Sequence, residues 1–365
     1  MNRTAILLIA ITMLLTATVS STAKIPPIPD SLGVSAPFAA IVGERLVVAG
    51  GCNFPDKPAA DGGKKKFYAD AYCLDISADS NKRKGRKRDE VGTWKELPAL
   101  PEPIAYGAAV QYEGKIICIG GTGPSGATTD VLALDMKKKG KPQWTRLPSL
   151  PAAIDNGAAA IEGTAVYVTG GNQASGARRL FRLDLKNPKA WNELPSYPSP
   201  TRIQPVVAAH GGSLYLIGGF STDSASGRCI TPSEILRYDT MSKRWAACGH
   251  IPPMPDGSPR AIVGASAVTS GDSIIIGGGV CGDIFRPAVE GRATADYMRQ
   301  PVEWYRFNAS LLIFNLQTGK WDVTSPQKGF ARAGGILLQK GRSLIMVCGE
   351  TKPGIRTPEI SVTAF

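Results

Sequence analysis

Near the end of the chain the sequence runs Gly349-Glu350-Thr351-Lys352-Pro353-Gly354-Ile355-Arg356-Thr357. Pro-Gly is a tight-turn dipeptide: proline presets φ at the first corner and glycine accepts the left-handed second corner. The loop therefore folds back on itself, so that Glu350 ends one strand and Arg356 begins the next. A carboxylate and a guanidinium then face each other. Such a pair can be a hairpin salt bridge of little consequence, or a proton acceptor beside an anion clamp. Metal chemistry is poorly provided for. There are two histidines, His210 and His250, and no cysteine–histidine cluster has zinc spacing, so neither a metal nor a cofactor is expected. Seven cysteines (52, 73, 118, 229, 248, 281 and 348) contain no CxxC, and their odd number leaves at least one thiol free. Cys73, Cys118 and Cys348 sit in apolar runs and read as small hydrophobes. Cys229 and Cys248 flank one strand-rich stretch, and whether they pair is left open.

What positions the Glu/Arg loop is a repeat. IVGERLVVAGG (41–51), QYEGKIICIGG (111–121), IEGTAVYVTGG (161–171), AHGGSLYLIGG (209–219) and VTSGDSIIIGG (268–278) share one pattern: strand, Gly turn, strand, Gly-Gly. A sixth copy, LQKGRSLIMVCGE (338–350), ends in Cys-Gly-Glu instead. Third strands follow (AYCLD, VLALD, LFRLD, ILRYD, LLIFN), and then Trp94, Trp144, Trp191, Trp245 and Trp321. Alternating apolar residues and short turns make each unit a four-stranded antiparallel sheet. A period of about 50 residues with Gly-Gly and a downstream Trp is the kelch pattern. Six copies predict an all-β, six-bladed kelch-type β-propeller spanning 24–365 as one domain. The last unit has one strand after the loop, Ile360 to Ala364, and no Trp. Its missing outer strand should come from about Ala23 to Pro27, so that pairing of N- and C-terminal strands closes the ring and removes exposed edges.

Spacing locates the insertions. From Gly51 to Gly121 and from Gly279 to Gly349 the chain takes 70 residues, against about 50 elsewhere. The excess falls at Cys52–Lys66, Ser77–Gly92 and Cys281–Asn308. The loop after strand two and the loop before strand one emerge on one face, so 52–66 and 281–308 should build up the mouth of the propeller.

Composition agrees with this plan. Gly is 41 and Pro 28 of 365 residues, with 43% hydrophobic and 20% charged, which suits many short strands and argues against a helical bundle. Residues 1–23 read as a cleaved signal peptide: Arg3, an apolar run from Ala5 to Leu15, then Ser21 and Ala23 before Lys24. No cysteine follows that point until Cys52, so no lipid anchor is expected, and the mature protein should be exported to the periplasm. The net charge of +12 suggests nucleic acid until it is located. Half of it is one tract, Asn81 to Arg88, without the interleaved aromatics of a strand-binding surface. A solvated loop is expected, not a nucleic-acid site.

At its Glu/Arg loop the chain resembles the N-acetylneuraminate epimerase family, the sialic-acid mutarotases, whose stretch Gly-Glu-x-Lys-Pro-Gly-x-Arg-Thr is matched at Gly349–Thr357. The insertion ATADYMRQPVEWYRF before the last blade and GGCNFPDKPAADGGKKKFYADAYCLD are similar to the family as well. The order resembles a cyclically permuted branch, with the loop at the C-terminus rather than mid-chain. The resemblance implies exchange of the α and β anomers of N-acetylneuraminate through an open chain. It implies Glu350 as proton acceptor and Arg356 as partner of the substrate carboxylate. Arg202 and Gln204 match an Arg-x-Gln stretch of the family. Together with Asp155-Asn156, Tyr106 and Arg332 at equivalent strand-one positions, they are expected to contact substrate. Tyr297, Trp304 and Tyr305 either stack on the sugar or pack the insertion. The family suggests a homodimer.

Other chemistries fit less well. A copper oxidase on this scaffold needs two site histidines and a Tyr–Cys pair. A sialidase needs an arginine triad and a Tyr nucleophile. A non-catalytic propeller that binds a glycan or protein partner is the remaining alternative, since fold alone does not fix function.

Overall fold

A computed structural model describes residues 24–77, 92–138 and 140–365. The leader expected at 1–23 and the basic tract at 81–88 lie outside the described residues. Five antiparallel sheets, each with a path of four strands, follow one another along the chain; in the fourth, Cys229–Ile230 also pairs with the second strand. Blade 1 is Phe38–Val42, Arg45–Ala49, Ala71–Asp75 and Lys95–Leu97; blade 2 is Ala108–Tyr112, Lys115–Ile119, Val131–Asp135 and Trp144–Arg146. Blade 3 is Ile154–Glu162, Ala165–Gln173, Leu180–Asp184 and Asn192–Leu194; blade 4 is Ile203–His210, Ser213–Thr222, Glu234–Asp239 and Arg244–His250. Blade 5 is Ala265–Ser270, Ser273–Gly278, Leu312–Asn315 and Trp321–Val323. Among the described residues blade 6 has three strands, Ile336–Lys340, Ser343–Val347 and Ile360–Ala364. The six sheets form a six-bladed β-propeller.

Apolar alternation sends one face of each blade against its neighbour. Phe38, Val47, Leu100, Ile116, Leu132 and Leu134 fill the space between blades 1 and 2, each fully buried side chain contributing about 1.5–3 kcal/mol. A hydrogen bond repeated six times holds the wedges near the axis. The second residue of each Gly pair donates its N–H to a carbonyl of the next blade: Gly51 to Ile104, Gly121 to Ile154, Gly171 to Arg202, Gly219 to Ile262, Gly279 to Arg332 and Gly349 to Val34, all 2.7–2.9 Å. The pair in blade 5 is therefore Gly278-Gly279, one residue later than the sequence pattern places it. The first glycine of the pair has positive φ, and a Cβ on Gly120 would lie 2.4 Å from the Ile154 carbonyl oxygen. Close approach is why the position is glycine. In blade 6 Cys348 takes it, at φ 52.

The tryptophans stitch the outer edge. Nε1 of Trp144, Trp191 and Trp245 donates to the carbonyls of Pro98, Pro148 and Pro195, the exit prolines of the preceding blades. Trp94 does the same to Pro26 at 3.2 Å, so the start of the described chain stands where the exit of blade 6 belongs. Among the described residues the seam holds less than a full strand. Lys24 makes an isolated bridge and Ile28 N–H donates to Pro358 O at 3.0 Å. Pro26 and Pro27 have no N–H to extend a ladder. Side chains make up the difference: Ile25 and Ile28 are buried with Val34, Leu46, Leu74, Val347 and Ile360.

All seven cysteines are free thiols, Cys229 and Cys248 included. Among the described residues no helix is long and apolar enough to cross a membrane. If the buried start of the chain closes the ring, Ile28→Ala should lower the unfolding free energy by about 2–5 kcal/mol, read from urea denaturation. An unchanged midpoint would place the segment outside the ring.

Candidate functional site

Where the six inner strands begin, each blade sends one residue to the axis in the left-handed region: Ala36, Tyr106, Asn156, Gln204, Gly264 and Gly334, with φ between 51 and 64°. Their backbones are linked from blade to blade. N–H of Ala36 donates to Gly334 O (2.7 Å), Tyr106 to Ala36 (3.1 Å), Asn156 to Tyr106 (2.7 Å), Gly264 to Gln204 (3.4 Å) and Gly334 to Gly264 (2.8 Å). Between Asn156 and Gln204 the side chains also meet, Gln204 Nε2 to Asn156 Oδ1 at 3.1 Å. Positive φ costs a non-glycine residue roughly 1–3 kcal/mol, and such strain collects at functional sites. Here it turns side chains into a cavity of about 570 Å³ on the axis.

The cavity wall is mostly small and apolar, from the Ala, Val and Leu residues of the inner strands. Its polar groups include Tyr106, Asn156, Gln204, Ser35 and Glu350. The amides have a fixed sense. Asp155 accepts from Asn156 Nδ2 (2.7 Å) and Asn172 Nδ2 (2.6 Å), and a carboxylate only accepts. Asn156 Oδ1 must then receive Gln204 Nε2, and Gln204 turns its Oε1 acceptor toward Gly264 in the cavity wall.

Glu350 follows the Gly pair position of blade 6, and its strand segment Glu350–Lys352 pairs with Ile355–Arg356, placing Glu350 opposite Arg356. Arg356 Nη2 lies 3.1 Å from Glu350 Oε2, with the two side chains 3% and 23% exposed. The guanidinium also stacks on Phe54, 4.7 Å from the ring centre. Its Nε and Nη1 are buried without a partner. A buried N–H left without an acceptor is costly, and Arg202 Nη2 is in the same condition. Burial pushes the Glu350 carboxyl above its ordinary range, with Arg356 chiefly opposing the shift. Burial, Cys52 and the Glu350 charge push the Tyr106 phenol up. Burial, Tyr305 and Glu350 push Tyr297 up to about 12.

The structure brings Glu350, Tyr106, Asn156 and Gln204 to one cavity, and Arg356 to Glu350 but behind it, outside the wall. Two expected contacts need correction. Arg202 and Arg332 stand two residues before the axial position, where Val34, Ile104, Ile154 and Ile262 stand in the other blades, and they point away from the axis. Arg202 is fully buried, with Nε on Ser199 Oγ (3.0 Å) and Nη1 on Glu234 O (2.9 Å). Arg332 donates to the carbonyls of Cys348 and Glu359 and to Ser361 Oγ. Both tie strands of their own blades together and neither lines the cavity.

The insertions cover the mouth. Residues 281–308 contain helix α1 (Gly282–Val289), which the sequence reading did not anticipate, and it presents Ile284, Phe285, Ala288 and Val289 to the cavity. Tyr297, Trp304 and Tyr305 pack edge to face, 5.1–6.0 Å apart. Tyr297 and Tyr305 also line the cavity, whereas Trp304 is 40% exposed outside it. Arg299 pairs with Asp61 of the first insertion at 2.7 Å, and Lys352 Nζ donates to Gln300 O at 2.6 Å. Lys65, also unanticipated, donates to the Tyr106 hydroxyl at 3.0 Å. No group of metal-ligating residues occurs among the described residues.

Comparison with known proteins finds one family and one similar fold. Residues 147–365, more than half of the chain, match the model of a family described as N-acetylneuraminate epimerase. The N-acetylneuraminate epimerase of Haemophilus influenzae strain PittEE is 35% identical over 197 residues, 50% of this chain and 51% of the relative. That of Pasteurella multocida strain Pm70 is 30% identical over 197 residues, 50% of each. The chain thus spans about half the length of the curated relatives it matches. The solved structure of YjhT is similar in fold, with a TM-score of 0.62 at 17% identity, over 93% of this chain and 99% of that one.

The raised Glu350 carboxyl can be tested without any ligand. A group whose pKa is raised by folding adds stability below its unfolded pKa, and that stability is lost as pH rises through the folded value. Glu350→Gln does not titrate. Between pH of about 4, near the ordinary glutamate value, and pH of about 8, the stability difference should therefore move in favour of the variant, as urea midpoints would show. A constant difference, or the opposite slope, would mean that Arg356 outweighs burial.

Proposed function

The chain belongs to the N-acetylneuraminate epimerase family, and from that membership we propose that it is an isomerase that exchanges the α and β anomers of N-acetylneuraminate. The observation that carries the proposal is the buried Glu350–Arg356 pair at the axial cavity, with two guanidinium N–H groups unpartnered. Anomer exchange needs a base for the anomeric hydroxyl and a proton for the ring oxygen, then the reverse after rotation in the open chain. Glu350 is the proton acceptor. Its raised pKa brings it nearer to neutrality, where a general base works best. The substrate carboxylate sits on the anomeric carbon, beside the hydroxyl that Glu350 deprotonates. Arg356 binds that carboxylate once the Glu350 side chain in front of it moves aside, and the carboxylate would then supply the acceptors that Nε and Nη1 lack.

Asn156 and Gln204 hold polar groups of the sugar, the latter through its Oε1. The small, apolar wall leaves room for the rotation. Action after export is part of this reading and rests on the leader-like sequence at 1–23.

An NMR time course of α-to-β conversion, with and without protein, tests the proposal. Glu350→Gln should slow the catalysed exchange by about 10²-fold or more while binding persists. Arg356→Ala should weaken binding of the carboxylated sugar by about 2–5 kcal/mol and leave neutral sugars little affected. If binding holds and only the working pH of Glu350 rises, Arg356 serves Glu350 alone. Saturable binding with no acceleration by wild type would make the protein a glycan-binding propeller instead.

A further inference from the structure

Exchange of anomers moves two protons, and Glu350 accounts for one. We propose that Tyr106 carries the other, donating its phenol proton to the ring oxygen as the ring opens; this rests on the mutarotase reading. Tyr106 is one of the six axial residues, at φ 60. Two others are glycine and one is alanine, so the fold does not require a large side chain there, and the strain is kept for what the side chain does. It lines the cavity together with Glu350, and Glu350 is close enough for its charge to act on the phenol.

The hydrogen bonds set the direction of transfer. Lys65 Nζ donates to the phenol oxygen at 3.0 Å, and an ammonium only donates. Cys52 Sγ lies 3.3 Å from it, and the one S–H of that thiol also has the Ser35 carbonyl within reach at 3.7 Å. The ammonium contact uses a lone pair of the phenol oxygen, so the phenol's own hydrogen points either to the sulfur or to a guest in the cavity. Sulfur is a weak acceptor, and a guest oxygen displaces it. Burial keeps the phenol protonated through the neutral range, as a donor must be before the step. The same Lys65 then faces the phenolate that the step leaves.

The step balances. Glu350 takes the proton of the anomeric hydroxyl, its C–O bond becomes C=O, the bond from the anomeric carbon to the ring oxygen breaks, and that oxygen takes the Tyr106 proton. After rotation the new hydroxyl returns its proton to the phenolate and attacks the carbonyl from the other face. Glu350 then gives its proton to the carbonyl oxygen. No oxidant or cofactor enters.

Tyr106→Phe keeps the ring and removes the proton. Its kcat for exchange should fall by about 10²-fold or more with KM changed by less than about threefold, the signature of a group acting in the transition state. Lys65→Met, at an exposed position, should lower kcat by about tenfold, again with KM held, and provides a second test if the first variant folds poorly. A Tyr106→Phe protein with wild-type kcat, beside a Glu350→Gln protein that is stalled, would overturn the role of Tyr106 and leave the mutarotase reading standing. A loss seen in KM alone would make Tyr106 a binding residue and overturn the proposal. If wild type accelerates no exchange, both readings fall together.

Discussion

Six backbone hydrogen bonds carry the architecture. In each, the second residue of a Gly pair donates to a carbonyl of the following blade, and the sixth, Gly349 to Val34, spans the whole chain at 2.9 Å. For that N–H to reach its acceptor, the residue before it must lie within contact distance of the same carbonyl. A Cβ on Gly218 would come within 2.2 Å of Ile262 O. The repeated Gly-Gly is therefore the sequence trace of one inter-blade contact. Cys348 departs from it in the blade that also bears Glu350, and holds φ 52 with its thiol fully buried.

The same contact builds the site. Two residues after each accepting carbonyl the chain turns through the left-handed region at the axis, because the preceding residue is held between blades and the following one must enter the inner strand. Six such turns, five of their junctions linked by N–H to C=O bonds and the Asn156–Gln204 junction by side chains, make a collar in which side-chain identity varies. Gly264 and Gly334 leave space, and Tyr106, Asn156 and Gln204 fill it with polar groups. Residues two earlier share neither the turn nor the direction. Arg202 and Arg332 consequently serve their own blades, although each is close to the axial residue in sequence.

That difference marks the limit of what the residues disclose. The repeat, the Pro-Gly hairpin and the two covering insertions were legible because each is local: glycine spacing, a turn dipeptide, a length excess. The Glu350–Arg356 contact was legible for the same reason, at a separation of six residues. Helix α1 was not. It is eight residues long with Pro287 inside, and proline argues against a helix, although the spacing of Ile284, Phe285, Ala288 and Val289 is a helical stripe. Lys65 on Tyr106 and Phe54 under Arg356 join residues far apart in the chain, and no local pattern signals them. The direction in which Arg202 and Arg332 point needed the collar, which appears only when six blades are superposed.

The seam where the two ends of the chain meet has a bearing on the site. Glu350 and Arg356 belong to blade 6, but Phe54, Cys52 and Lys65 come from the insertion in blade 1, and Tyr106 from the entrance to blade 2. The pair and its surroundings thus straddle the boundary closed by Gly349 to Val34, by Ile28 to Pro358 and by the apolar cluster around Ile25 and Ile28. Every other boundary is also joined by continuous chain. Here, among the described residues, the two ends of the ring meet through these noncovalent contacts. The geometry of Glu350 relative to Phe54 and Lys65 is accordingly set by burial at the seam. A circular fold can have its ends anywhere so long as the collar bonds are kept; placing them here makes the stability of the closure and the precision of the site one quantity.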